Sequence, residues 1–332
     1  MMFQKILVPL DGSPLAEAAL PVAGRMARSS GGTMMLLQVV DVSYAYLSYG
    51  AMQPSTLHVI MESSLASANT YLESVLCRPD LAGVSLKKQV VLGYPASVIL
   101  STVNTCAVDL VVMTSHGYTG VKRWVLGSVA EKVIHHAPVP IFILREEKKP
   151  LLAHPNDKSA GGVRALIPLD ISARSQDVIA PAQALVTALS PLEQGELHLT
   201  QMVMVPNGSS KSAREALLHS AKQNLQAVSE YIREGLVAHV GLNHGFKLTW
   251  SISQTEDIAE GIVQMAEHGE NAEDGSIIAP SNLIAMTTHG YSGIKKWTMG
   301  SIASRVLRAT RLPVLLVRPA DMIREEQLKE ES

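Results

Sequence analysis

Two loops of this 332-residue chain contain residue types that bind anions, and both have the same spacing. The first is Thr114-Ser-His-Gly117, nine residues, Gly127-Ser128, and the second is Thr287-Thr-His-Gly290, nine residues, Gly300-Ser301. A glycine allows close approach to the backbone, and the start of a helix presents N–H donors with a partial positive charge. The spacing therefore predicts a phosphate site where each Gly-Ser pair begins a helix.

Each Gly-Ser pair also fits a purely structural role. Ser128-Val-Ala-Glu131 has the pattern of a capping box, in which serine and glutamate satisfy the first helical N–H groups. Ser301 begins the corresponding segment, which has no glutamate at its fourth position. A helix cap and an anion site both remain open from the sequence.

The rest of each loop offers weaker candidates. His116 and His289 are able to contact a phosphate or a base, although a loop histidine is more often simply exposed. The basic residues either neutralise phosphate or are solvated, and the tryptophans fit packing anchors better than stacking platforms: Lys122, Arg123, Lys295, Lys296, Trp124 and Trp297.

An aspartate follows the first apolar strand of each half of the chain, at Asp11 and Asp170. Its carboxylate is able to accept a hydrogen bond from an adenine amine or a ribose hydroxyl. The alternative is a turn or helix cap, because aspartate favours such positions before a helix. Ligands of open parallel sheets bind beyond the carboxyl ends of the strands, where both aspartates and both loops are expected.

Other kinds of site find no support in the sequence. No Walker phosphate loop, dinucleotide-binding glycine fingerprint, zinc-ligand spacing or nucleophile elbow occurs, and we identify no catalytic nucleophile or acid–base pair. The net charge of −2 gives no footprint for nucleic acid. No apolar stretch reaches the roughly 18 residues of a membrane span. The two cysteines fit a reducing compartment, so we expect a cytoplasmic protein without a membrane or nucleic-acid partner.

The chain consists of one domain sequence written twice. ILVPLDGS at residues 6–13 returns as ALIPLDIS 159 positions later, whereas the glycine loops are 173 positions apart. The second copy therefore has a net insertion of 14 residues, which we assign to the polar stretch His268–Ser276. We predict domains at residues 1–147 and 163–320, a linker at 148–162, and a tail at 321–332 that forms a short solvated helix or a frayed end.

Apolar strand patterns alternate with amphipathic helix patterns in both copies. This alternation predicts βαβ units, parallel strands and right-handed crossovers. Aromatic residues make up only 4% of the chain, as suits helices packed on both faces of a parallel sheet. The predicted fold is therefore α/β, with two tandem doubly wound sandwich domains.

These motifs resemble those of the universal stress protein family, over nearly the whole chain and twice. The family motif is Gly, two residues, Gly, nine residues, Gly-Ser or Gly-Thr, and this chain departs from it only by threonine at the first glycine, Thr114 and Thr287. The resemblance implies a Rossmann-like domain of the adenine nucleotide alpha hydrolase type with five parallel strands. It also implies that the copies form a pseudo-dimer through Val139–Leu144 and Leu312–Val317, with homodimerisation of the chain as a further option.

The resemblance further implies an adenine nucleotide site in each copy. The aspartate holds the adenosine end, backbone near the end of the second strand borders the adenine, and the glycine loop holds the phosphates. The implied residues in the first copy are Pro9, Leu10, Asp11, Val39, Val40, Met113, Thr114, His116, Gly117, Gly127, Ser128 and Val129. Those in the second are Pro168, Asp170, Met286, Thr287, His289, Gly290, Gly300, Ser301 and Ile302.

The implied function is ATP binding, with or without Mg²⁺, in stress survival or regulation and with little turnover. A slow ATPase or phosphotransfer enzyme and a scaffold without nucleotide remain as alternatives. We expect the first copy to bind better, because Gly93-Tyr-Pro95 is retained there and is replaced by Ser253-Gln-Thr255 in the second. Asp109 is likewise replaced by Asn282.

Overall fold

Strands and helices alternate along the chain in the computed structural model, which divides into two units, Met1–Glu146 and Glu147–Ser332. The structure describes residues 2–42, 54–115, 126–145, 162–190, 195–206, 208–238, 247–271, 277–290 and 299–330. The predicted linker lies outside these residues, apart from Gly162. No helix within the described residues has the length and apolar character needed to cross a membrane.

The first unit contains five strands and five α-helices within its described residues. The strands are β1 (Lys5–Leu10), β2 (Thr33–Asp41), β3 (Ser85–Gly93), β4 (Leu110–Thr114) and β5 (Ile141–Leu144). The helices are α1 (Pro14–Glu17), α2 (Ala19–Ser30), α3 (Pro54–Leu76), α4 (Pro95–Thr105) and α5 (Ser128–His136). The first two helices follow each other directly, separated only at Ala18.

The second unit repeats this order with additions. Its strands are β6 (Arg164–Pro168), β7 (Glu196–Val203), β8 (Lys247–Gln254), β9 (Glu270–Asn271), β10 (Ile277–Ile278), β11 (Leu283–Thr287) and β12 (Val314–Val317). Its α-helices are α6 (Ile179–Leu189), α7 (Lys211–Ala238), α8 (Ile258–His268), α9 (Ser301–Ala309) and α10 (Ala320–Glu330). A 3-10 helix, Ala173–Val178, precedes α6. The predicted tail therefore forms a helix.

Each unit builds a parallel sheet of five strands. The order is β3-β2-β1-β4-β5 in the first unit and β8-β7-β6-β11-β12 in the second. The central strands are buried on both faces, as their continuous apolar sequences require: Ile6, Leu7 and Val8 in β1 and Leu283, Ile284 and Ala285 in β11 are fully buried. The predicted α/β class is confirmed. The order reverses beside β1 and β6, so the switch point of each sheet lies between its first and fourth strands.

The predicted place of the insertion is only partly right. The strand starts Lys5 and Arg164 are 159 residues apart, Thr33 and Glu196 are 163 apart, and Leu110 and Leu283 are 173 apart. Four of the added residues therefore lie between the first two strands of the second copy. The others lie after α8, where β9 and β10 form an antiparallel pair. The repeat does not reveal these four residues, because the two matched segments, the aspartate turns and the glycine loops, lie on either side of them.

Candidate functional site

The predicted site residues of each unit lie at one edge of its sheet. Parallel strands place their carboxyl ends together, and the described candidates fall at these ends or at the helix start that follows. Pro9 and Leu10 end β1, Val39 and Val40 are near the end of β2, Met113 and Thr114 end β4, Pro168 ends β6, and Met286 and Thr287 end β11. Gly127, Ser128 and Val129 begin α5, while Gly300, Ser301 and Ile302 begin α9.

The two aspartates occupy the same kind of turn. Asp11 Oδ1 accepts hydrogen bonds from Ser13 N at 3.0 Å and from Ser13 Oγ at 2.6 Å. Asp170 Oδ1 accepts from Ser172 N at 2.8 Å and from the Ser172 hydroxyl. The turn that was the alternative to ligand binding is therefore present in both units. It fixes the carboxylate at the carboxyl end of the first strand, which is compatible with ligand binding.

In the second unit the aspartate and the glycine loop meet. A Cβ atom built on Gly290 would overlap Asp170 Oδ2, so a larger residue here would require the carboxylate to move. The sequence placed these residues 120 positions apart, at the ends of different strands. Their contact brings two of the predicted site elements together.

Each glycine loop closes on the end of its strand. Gly127 N donates to Ser115 O at 2.9 Å, and Gly300 N donates to Thr288 O at 2.8 Å. A Cβ at Gly300 would lie 3.0 Å from the Thr288 oxygen, which is tighter than an ordinary contact. The start of the helix is thereby held beside the carboxyl end of the fourth strand in both units.

The capping-box interpretation of the Gly-Ser pairs is wrong. Gly127 and Gly300 are the N-cap residues of α5 and α9, and neither helix has a side-chain hydrogen bond at its cap. Ser128 and Ser301 are the first helical residues and their side chains are exposed. By contrast, Ser13 caps α1 by accepting from Ala16 N at 3.1 Å. Among the residues that the structure describes, no side chain caps α5 or α9, so their first-turn N–H groups are open to another acceptor.

We expect two serine substitutions to differ in their effect on stability. Ser13→Ala removes a side-chain cap and should lower the free energy of unfolding by about 1 kcal/mol. Ser128→Ala removes no cap and should change it by less than about 0.5 kcal/mol. Urea denaturation of both variants measures the difference, and an equal loss for both would restore the capping box.

The histidine of the second loop is buried, which corrects the expectation of an exposed side chain. His289 is 8% exposed, and its Nδ1 lies 3.1 Å from Thr288 Oγ1. His116, Gly117 and the basic and tryptophan residues of both loops lie outside the described residues.

The threonines that replace the family glycine face inward. Thr114 and Thr287 are each 7% exposed. The Thr287 hydroxyl donates to His289 O at 2.9 Å, so it supports the turn that follows β11.

Two sequence differences were expected to weaken the second site, and the structure places the first of them, Asp109 against Asn282, away from that site. Asp109 accepts from Gln4 N at 2.6 Å and Lys5 N at 3.1 Å, and Asn282 accepts from Arg164 N at 2.7 Å. Both side chains tie the starts of strands together, at the edge opposite the candidate site. The start of α8 also aligns Gly93-Tyr-Pro95 with Glu256-Asp-Ile258, and not with Ser253-Gln-Thr255.

Glu17, in the helix that follows the Asp11 turn, is bonded through both carboxylate oxygens. The Tyr71 hydroxyl donates to Glu17 Oε1 at 3.0 Å, and Glu17 also pairs with Arg78 at 2.5 Å. Burial, this hydrogen bond and the charges of Glu17 and Asp11 raise the pKa of Tyr71. Asp11 therefore lies close enough to Tyr71 for its charge to contribute to this shift.

A buried polar network in the second unit was missed by the sequence reasoning. His198 is 2% exposed, with Nδ1 2.7 Å from Thr249 Oγ1 and Nε2 2.9 Å from Ser251 Oγ. Burial, with the charges of Arg164 and Lys247, lowers the pKa of His198 to about 3. Alternate polar residues along β7 and β8 were the available signal, because they share one face of the sheet. The described residues include no group of three or more potential metal ligands.

Comparison with known proteins identifies the two units. The model of the universal stress protein family matches residues 2–145 and 164–318. The universal stress protein MJ0531 of Methanocaldococcus jannaschii is 30% identical over 148 residues, which are 45% of this chain and 85% of that protein. MJ0577 of the same organism is 26% identical over 158 residues, 44% of this chain and 98% of that protein.

Solved structures share the fold over both units. A universal stress protein from Archaeoglobus fulgidus superposes with a TM-score of 0.63 at 20% identity, covering 96% of this chain and 99% of the other. PA1789 from Pseudomonas aeruginosa, described as functionally unknown, gives 0.59 at 14% identity, covering 99% and 98%. Given the two family matches and the repeated architecture, this chain belongs to the universal stress protein family and carries two of its domains in tandem.

Proposed function

We propose that this protein is a cytoplasmic regulator of stress survival whose signal is the occupancy of an adenine nucleotide site in each domain, residues 1–147 and 163–320. Asp11 and Asp170 hold the nucleoside, and the N-termini of α5 and α9 hold the phosphates. ATP, with or without Mg²⁺, is the expected ligand.

The observation that supports this proposal most is the contact between Asp170 and Gly290. It joins the acceptor end of the site to the glycine loop in one unit, at the switch point of the sheet where ligands of such folds bind. The same turn and the same loop closure recur in the first unit.

The charges at the two ends of the site suit opposite ends of a nucleotide. The Asp11 carboxylate is an acceptor, so ribose hydroxyls and an adenine amine fit there better than phosphate. The uncapped first turn of α5 offers N–H donors and the positive end of the helix dipole, which suit phosphate. The site thus predicts the direction in which the nucleotide lies.

Isothermal titration of the purified chain with Mg-ATP tests the proposal. We expect saturable heat at nucleotide concentrations up to about 1 mM. Asp11→Ala should weaken binding to the first domain and Asp170→Ala binding to the second, because each loses a charge-assisted acceptor worth about 1.5–3 kcal/mol. Mass spectrometry of protein purified without added nucleotide provides an independent measurement.

Two results would contradict this function. One is the absence of heat with ATP, together with the absence of co-purified adenine nucleotide. The other is wild-type heat in the double variant Asp11→Ala, Asp170→Ala. Asp109→Ala is the matched control, since it removes an aspartate at the opposite edge of the sheet and should leave nucleotide binding unchanged.

A further inference from the structure

The last described helix of the second unit begins beside the glycine loop of its candidate site. α10 (Ala320–Glu330) starts three residues after Val317, which ends β12. Val317 O accepts from Thr288 N at 2.8 Å, and Thr288 O accepts from Gly300 N where the loop closes. A short piece of chain therefore joins the start of α10 to the strand end that supports the glycine loop.

The same helix start is bonded to the segment that follows the site aspartate. Ala320 N donates to Asp177 Oδ2 at 2.8 Å, and Arg174 Nε donates to Asp321 Oδ2 at 2.6 Å. Arg174 and Asp177 both belong to the 3-10 helix Ala173–Val178. Asp177 thus satisfies one of the first N–H groups of α10, and Arg174 forms an ion pair with its first turn.

This 3-10 helix is in turn bonded to the Asp170 turn. Ser172 is the N-cap of the 3-10 helix, and Asp170 Oδ1 accepts from Ser172 N at 2.8 Å. The Ser175 hydroxyl, which is buried, accepts from Asp170 N at 3.3 Å. Hydrogen bonds and one short helix thus connect α10 to the residue that is proposed to hold the nucleoside.

The corresponding segment of the first unit is held by other elements. Glu17, in α1, accepts from the Tyr71 hydroxyl at 3.0 Å and from Arg78 at 2.5 Å. Tyr71 lies in α3, and Arg78 follows that helix. The segment after the aspartate is therefore supported by α3 and its neighbour in one domain and by α10 in the other.

α10 depends on such contacts for its own stability. It has 11 residues, and an isolated helix of this length is marginal in water. Arg174 and Asp321 are partly exposed, and a pair of this kind shifts an equilibrium by no more than about fivefold. Small changes in the 3-10 helix are therefore sufficient to change how firmly α10 is docked.

We propose that α10 is a regulatory clamp on the second nucleotide site, docked on the 3-10 helix when the site is occupied and released more often when it is empty. This inference rests on the proposed function. Docked α10 holds the 3-10 helix in the position in which Asp170 contacts Gly290, so a nucleotide that binds this arrangement also favours the docked helix. The coupling is reciprocal, so docking strengthens nucleotide binding by the same factor.

Hydrogen exchange measures one half of this coupling. The chain carries Asp11→Ala, which weakens the first site, and the amides of residues 320–330 are followed with and without Mg-ATP. We expect saturating ATP to slow their exchange about fivefold, at the lower end of typical couplings between sites. Addition of Asp170→Ala, which weakens the second site, should abolish this effect.

A helix-breaking substitution measures the other half. Glu325→Pro in the Asp11→Ala chain interrupts α10 and should weaken ATP binding to the second domain by the same factor of about five, by isothermal titration. Glu325→Ala is the matched control, since it removes the same exposed carboxylate, keeps the helix and should leave the affinity unchanged. Unchanged hydrogen exchange in β6 shows that the domain stays folded.

Arg174→Ala added to Glu325→Pro should cause no further loss, because its contact with α10 is already broken. A further loss would move Arg174 to direct contact with the nucleotide and overturn the clamp. ATP binding to the second domain without slower exchange of residues 320–330 would also overturn it, as would unchanged or tighter binding in Glu325→Pro. Absence of ATP binding in the wild-type chain would instead defeat the proposed function itself.

Discussion

Gly127→Asp should abolish nucleotide binding in the first domain while the fold is retained. Gly127 has φ −63° and ψ 147° at the N-cap of α5, a conformation that aspartate adopts readily. Its carboxylate would accept from the first-turn N–H groups that are proposed to bind phosphate, and would repel the phosphate charge. We expect affinity to fall at least about a hundredfold, since charge-assisted hydrogen bonds contribute about 1.5–3 kcal/mol and repulsion adds to their loss.

The same substitution should change the free energy of unfolding by less than about 1 kcal/mol. Aspartate is a better N-cap than glycine, but a Cβ at the equivalent Gly300 would lie 3.0 Å from the Thr288 oxygen, so crowding of the loop opposes this gain. Binding and stability are therefore expected to change independently or in opposite directions. Isothermal titration measures binding in a Ser301→Glu background, where the added carboxylate repels phosphate from the second site. Urea denaturation measures stability. Gly127→Asn, which caps without charge, should retain more binding. A collapse of the melting temperature would make Gly127 mainly structural, and unchanged binding would exclude phosphate from this helix start.

Acid should destabilise the second domain through His198. Its pKa is about 3 in the fold against 6.5 for an unperturbed histidine, so the unfolded chain binds the proton more readily between these pH values. The stabilisation is complete above pH 6.5 and decreases as the pH falls toward 3. Between pH 6.5 and pH 5 this one group should lower the free energy of unfolding by about 1.4 kcal/mol per pH unit, which gives about 2 kcal/mol at pH 5.

The control variant for this prediction comes from the first domain. Met35 occupies in β2 the position that His198 has in β7, so His198→Met is a substitution that the fold already accommodates. Thr249 still donates to Glu196 and Ser251 to Thr200 in its absence. Urea denaturation at pH 8, 6.5 and 5 should show a flatter pH profile in the variant. Parallel profiles for variant and wild type would refute the assignment.

The sequence predicted the architecture well because the signals that build it are local. Apolar strand patterns and amphipathic helix patterns were sufficient to predict the alternation of strands and helices that both units show. Contacts between distant segments were less accessible. The contact between Gly290 and Asp170 and the hydrogen bond from Asn224 on α7 to Gln201 on β7 depend on how strands and helices pack. Patterns in a single sequence do not specify this packing.

The cap at Ser128 shows a second kind of limit. The motif Ser-x-x-Glu is present, but the helix begins one residue earlier than the motif requires, with Gly127 at the cap. A shift of one residue changes a capping side chain into an exposed one.

The replacement of Met35 by His198 gives the two halves of the duplication different responses to protons. As the pH falls, the second half loses stability that the first does not lose at the matching position, and a chain with two cores need not unfold in a single cooperative step. Calorimetry at pH 5 should then resolve two heat-absorption peaks, of which the lower belongs to residues 163–320. In this way a duplicated fold would acquire a graded sensitivity to acid from one side chain.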